Sequence, residues 1–179
     1  MNTLLKYFTH EELEQLKDWE LYSKSFLLVS RMFISKKDKA GKPYIDHLLR
    51  VSGNMTTTDG KIAALLHDVV EDIEGVTFED LIEFGIPEHI IEVLKLVTKE
   101  KPDEILTPKQ KLQKYNDEIE RIIASKNLLA LELKLADMSD NYNPSRLKEL
   151  DTEKQKWFEE KYGQNIKRLR KEKDKYDRH

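Results

Sequence analysis

Apolar positions along this chain recur mostly at helical spacing. Over residues 62–73, Ile62, Leu65, Leu66, Val69 and Ile73 fall at i, i+3, i+4, i+7 and i+11, a single apolar stripe at about 100° per residue. That spacing predicts one amphipathic helix. Helix starts are marked elsewhere by Thr9-x-x-Glu12, which has the form of a capping box, and by Thr107-Pro108 with Gln110, where proline sits at the first helical position. Thr77 before Phe78-Glu79-Asp80, Pro87 after Gly85-Ile86, and Pro43 before Tyr44 predict three more. Residues 128–136 alternate leucine with other residues from Leu129 to Leu135, the period of a strand, yet the segment is Ala, Leu, Glu and Lys without β-branching. Propensity therefore predicts a helix, apolar on most sides and ending in Asp137.

The 6 glycines and 5 prolines mostly punctuate helical segments rather than alternating strands. The expectation is an all-α fold of roughly eight or more helices joined by short loops. At 179 residues a single domain spanning 1–179 is expected. Its core covers about 20–150, and a C-terminal helix from about 151 to 179 is anchored on it by Trp157, Phe158 and Tyr162. No repeat or low-complexity linker interrupts the chain.

Charge and composition narrow the function. Charged residues make up 36% of the chain, against roughly 25% in an average globular protein. The balance is 31 basic to 34 acidic residues, a net of −3, so no global field favours nucleic acid or an anionic membrane. From Lys167 to His179 the chain is basic; the simplest reading is a solvated helix end that frays, because no stacking platform beyond Tyr176 accompanies the lysines and arginines. Cysteine is absent, which excludes disulfides, thiolate metal sites and cysteine nucleophiles and accords with a cytoplasmic location. The first twelve residues turn acidic too soon for a signal peptide. The apolar run 26–34 is broken by Arg31 and is well short of the roughly 18 residues of a membrane span.

The 62–73 helix carries the densest chemistry. His67, Asp68, Glu71 and Asp72 share a sector away from the apolar stripe, an imidazole beside three carboxylates that would suit a divalent ion. The same stretch reads equally well as an acidic solvated face. His47 falls among apolar neighbours in the helix after Pro43, where a lone histidine is more often a hydrogen-bonded core residue than a ligand. Asp137 is desolvated at the end of its helix, so it needs a pairing partner or a metal. Asn141 is one turn further and faces the same way. Taken jointly, His47, His67, Asp68 and Asp137 form an imidazole and oxygen set without sulfur, which favours manganese, magnesium or iron over structural zinc. Glu71 and Asp72 are placed to serve as bases. His10, His89 and His179 have no partner at ligand spacing and read as surface or helix-end residues.

At His67-Asp68-Val69-Val70-Glu71-Asp72 the sequence resembles the HD-domain phosphohydrolases, and specifically the hydrolase domain of the RelA/SpoT alarmone enzymes with their small stand-alone relatives. The blocks come in order: Gly41-Lys42-Pro43-Tyr44-Ile45-Asp46-His47, then residues 64–72, Phe84-Gly85, Val97-Thr98-Lys99, and Lys134-Leu135-Ala136-Asp137 with Asn141. The resemblance covers about residues 20–150. It implies an all-α fold in which His47, His67, Asp68 and Asp137 hold one manganese ion, while Glu71 and Asp72 position or deprotonate the attacking water. It implies further that Lys39, Tyr44 and Asn141 line a nucleotide pocket, and that the reaction removes the 3'-pyrophosphate of guanosine tetra- or pentaphosphate. The stand-alone relatives leave a monomer or a small homo-oligomer open.

The chain departs from the family pattern at three places. Leu48 stands where proline usually follows the first metal histidine. Asp38, between Lys37 and Lys39, aligns with an arginine that stacks on the guanine base. Tyr142-Asn143-Pro144-Ser145-Arg146 replaces the usual Met-Arg-Thr after Asn141, and Arg146 is a candidate to supply the missing arginine. Two alternatives follow: a phosphohydrolase acting on another nucleotide or phosphoester, and a non-catalytic nucleotide- or protein-binding module in which metal only supports the fold. Glu71 and Asp72 count against the second, since a structural ion needs no extra carboxylates.

Overall fold

A computed structural model describes residues 3–17, 19–38, 41–99 and 104–176. The expectation at Lys39 and that at His179 fall outside these residues. The described chain is all-α, with no strand among the described residues and one isolated antiparallel bridge between Lys37 and Pro43. It divides into two compact units, Met1–Thr98 and Lys99–His179.

The first unit opens with a 3₁₀ turn (Thr3–Lys6), followed by α1 (His10–Leu16), α2 (Leu21–Met32), α3 (Tyr44–Gly53), α4 (Thr58–Leu66), α5 (Val69–Asp72), α6 (Phe78–Glu83) and α7 (Glu88–Val97). The capping signals act as expected. Thr9 Oγ1 accepts from Glu12 N while Glu12 accepts from Thr9 N, and Thr77 makes the same reciprocal pair with Asp80. Helix α4 is the hub, packed against α2, α3 and α7. From Ile62 to Leu66 every side chain is buried, so the helix is apolar on all sides and its two ends are where polar groups emerge. Gly85, at φ +99°, turns the chain after α6 in a conformation that side chains resist.

The predicted continuous helix over 62–73 is interrupted. Helix α4 stops at Leu66, and Asp68, at φ −103° and ψ 0°, starts the separate one-turn α5. The His67 ring takes the Ala64 carbonyl at 2.6 Å, the acceptor that a continued helix would offer to the N–H of residue 68. The apolar stripe survives across the break, with Val69 fully buried. The shared polar sector expected for a regular helix does not.

The second unit contains α8 (Pro108–Ser125), α9 (Leu128–Asn141), α10 (Pro144–Leu147) and α11 (Thr152–Tyr176). Helix α11 packs on α9 and α8. Phe158 and Tyr162 are buried, and Tyr162 meets Tyr115 edge-on at 5.7 Å. The leucine-rich segment is a helix, as propensity predicts, but it does not end at Asp137. It runs one turn further because Met138 and Asp140 continue its buried side, and Asn143, whose Oδ1 accepts from Ser145 N to cap α10, starts the next helix. Leu169 is fully buried in the basic stretch, so that stretch is docked at least this far, and helix persists to Tyr176. Among the described residues no helix is long and apolar enough to cross a membrane.

Candidate metal centre

Three of the expected residues converge within the first unit. His47 comes from α3, and His67 and Asp68 from the α4–α5 break; all three are buried, and one ligand atom from each lies within 4.8 Å of the others. His67 Nε2 stands 3.1 Å from Asp68 Oδ2, and His47 Nε2 stands 3.8 Å from the same oxygen. The two imidazoles meet at 5.4 Å between centroids. Burial of His47 thus reflects its place in this cluster as well as in the core.

The orientation of His67 has a local cause. Its Nδ1–H donates to the Ala64 carbonyl, so in the neutral ring Nε2 carries the lone pair and faces Asp68. The His67 Nε2 lone pair and a carboxylate oxygen brought together out of water repel one another unless a cation or shared proton lies between them. Ligands about 2.0–2.2 Å from one ion stand roughly 3–4 Å apart, the spacing each imidazole Nε2 has from Asp68 Oδ2. The donor set therefore fits a divalent metal of the oxygen- and nitrogen-preferring kind.

A shell of contacts holds this cluster. Tyr44 Oη donates to Asp68 Oδ2 at 2.5 Å, and the Tyr44 ring stacks on Phe33 at 5.2 Å and 13°. Asp72, at the end of α5, accepts Lys36 Nζ on its carboxylate at 2.9 Å and on its carbonyl at 3.2 Å. Glu71 and Asp72 are both half-buried on α5. Neither Phe33 nor Lys36 emerges from the sequence reading. The available signal is Gly41, at φ +79°: a turn there folds 36–38 back on 42–44, and Tyr44 N donates to the Lys36 carbonyl.

The remaining expected residues are placed as follows. Asp38 closes that turn, its Oδ1 accepting Lys42 N at 2.9 Å. In the second unit, Asp137 is buried within α9, Asn141 Nδ2 donates to its Oδ1 at 2.6 Å, and Lys134 Nζ lies 3.5 Å from its Oδ2. Arg146, from α10, turns onto buried Asp140 in an ion pair. His10 begins α1 on the surface, and His89, also exposed, has a partner after all, since its Nε2 lies 2.9 Å from Asp59 Oδ2.

These residues fall inside a stretch, 44–169, that matches the family described as the HD domain. The chain belongs to the HD domain family. The family's stretch includes His47, His67, Asp68 and Asp137 and runs through both units. Among solved structures, the chain is similar to a metazoan ortholog of SpoT, described as hydrolysing ppGpp and playing a role in starvation responses. That likeness has a TM-score of 0.66 and 24% identity over 89% of this HD-domain chain and 95% of the other, a shared all-α fold. No curated protein matches the chain.

Proposed function

We propose that this HD-domain protein is a divalent-metal-dependent phosphohydrolase that releases pyrophosphate from a nucleotide, with guanosine 3',5'-bis(diphosphate) as the leading substrate. The convergence of His47, His67 and Asp68 carries the reading. Asp137 is proposed as the fourth ligand, supported by its burial and its place in the Lys134–Asp137 block of the family resemblance. The metal is manganese in this proposal, with iron and magnesium suited by the same donors.

The residues divide the work. When bound, the ion supplies Lewis-acid polarisation of phosphoryl oxygen and a lower pKa for water. Glu71 accepts the proton of the attacking water, and Asp72, with one carboxylate oxygen on Lys36, orients that water through its other oxygen. Water oxygen bonds to phosphorus, the bond from phosphorus to the ribose 3'-oxygen breaks, and a proton passes to that oxygen. Tyr44 steadies Asp68 through its hydroxyl and offers its ring to the nucleotide; Lys39, Asn141 and Arg146 complete the proposed substrate contacts.

Purified protein with manganese and guanosine tetraphosphate is expected to release pyrophosphate, read by a coupled assay. Absence of turnover rejects the alarmone substrate; silence across a panel of nucleoside phosphates and pyrophosphates rejects the wider class. Asp38 favours a second reading, a different nucleotide, because its carboxylate is engaged in a turn and cannot stack as a guanidinium does. A better substrate in the panel selects that reading.

A further inference from the structure

We infer that Lys36 is a positioning residue for the Asp72 carboxylate; this rests on the proposed role of Asp72 in orienting water. Helix α5 has only four residues, Val69–Asp72, too few to hold its own shape in water. Its ends are gripped from the two arms of the Gly41 turn, 36–38 and 42–44. At the start of α5, Tyr44 holds Asp68 through its hydroxyl. At the finish, Lys36 Nζ contacts both the Asp72 carboxylate, at 2.9 Å, and the Asp72 carbonyl, at 3.2 Å. The same ammonium lies over the rings of Phe33 and Tyr44, 5.5 and 5.2 Å from their centroids. Those rings are stacked on each other, and Lys36 reaches Asp72 from beside them.

The ion pair is about one-third exposed on each side, and such pairs add little to stability. Its geometry is more restrictive than stability requires. Two acceptors of one residue and two aromatic faces all meet a single ammonium, which holds the Asp72 side chain in one orientation relative to its own backbone. The carboxylate oxygen not on Lys36 is thereby aimed, and a carboxylate that orients water gains from being held.

The test uses the full chain with manganese and the best substrate of the panel. Lys36→Met is expected to lower kcat roughly 10- to 100-fold, with KM within about twofold and bound manganese unchanged. Lys36→Arg restores most of the rate, and Lys36→Met/Asp72→Asn is no slower than Asp72→Asn alone. Should Lys36→Met not fold, Lys36→Gln carries the same comparison. A loss expressed in KM alone would make Lys36 a substrate contact and overturn the inference, as would additive losses in the double variant. If Asp72→Asn keeps the parental rate, or no substrate is turned over, the functional reading of Asp72 falls separately. A crystal structure of Lys36→Met then decides, and Asp72 in its parental rotamer refutes the positioning role.

Discussion

Asp68 and Asp137 are buried to nearly the same degree, 8% and 9% exposed, but different scales of structure hold them. Asp68 sits at a helix break and is met by its neighbour His67, by Tyr44, 24 residues away in sequence, and by His47. Asp137 sits inside α9 and is met from its own helix by Lys134 at i−3 and Asn141 at i+4. The Tyr44 and His47 contacts of Asp68 exist only in the tertiary structure, whereas the Lys134 and Asn141 contacts of Asp137 follow from local helical spacing.

Substitutions can break this comparison or sharpen it. The largest effect is expected for Asp68→Asn, which should lose bound manganese, by elemental analysis, and pyrophosphate release together; retention of either removes Asp68 from the metal set. Asp137→Ala should also lose metal, and it differs from Asp68→Asn in stability. With Lys134 only 4% exposed along its side chain, removing its carboxylate should cost about 3–5 kcal/mol in urea unfolding. An unchanged midpoint would show that Lys134 does not depend on this pair.

Glu71→Gln should slow turnover roughly 10²- to 10⁴-fold while leaving metal content at the parental level; survival of both activity and metal assigns the base elsewhere. Tyr44→Phe removes the 2.5 Å hydrogen bond to Asp68 and should weaken metal affinity or turnover roughly 10- to 100-fold. A smaller loss of metal affinity, read apart from turnover, at Asn141→Ala than at Tyr44→Phe would show that Asp68 needs its distant partner more than Asp137 needs its helical one.

The smallest effect is expected at Glu12, a control outside the candidate metal set. The Arg31 hydrogen bond, followed by that from the Thr9 backbone, holds its carboxyl down at about 2 against an ordinary 4.5. A folded-state value below the unfolded one stabilises above the unfolded value and is lost as pH falls through the folded one. The stability advantage of the parent over Glu12→Gln should therefore be full above about pH 5 and gone near pH 2. A thermal-melt difference constant across that range would contradict the Glu12–Arg31 account.

Legibility in the sequence followed the same division of scales. Caps at Thr9, Thr77 and Thr107 are written within four residues, and all three form. The helix over residues 128–136 was recoverable from propensity, although its end was not, because Met138 and Asp140 extend the buried side beyond the leucine run. At residues 62–73 the apolar period was legible and the break was not. A side chain capturing a carbonyl, as His67 does with Ala64, leaves the hydrophobic spacing unchanged. The His47, His67 and Asp68 cluster was legible from ordered blocks. Lys36 was not, since its contact with Asp72 spans 36 residues and depends on the fold-back at Gly41.

The His67–Ala64 hydrogen bond bears on how the proposed metal ion would be received. Because the main chain already selects the ring's tautomer and its rotation, the cost of freezing that side chain is met during folding rather than at the moment of capture. In the proposed metal site Nε2 is then presented without any rearrangement of the His67 ring.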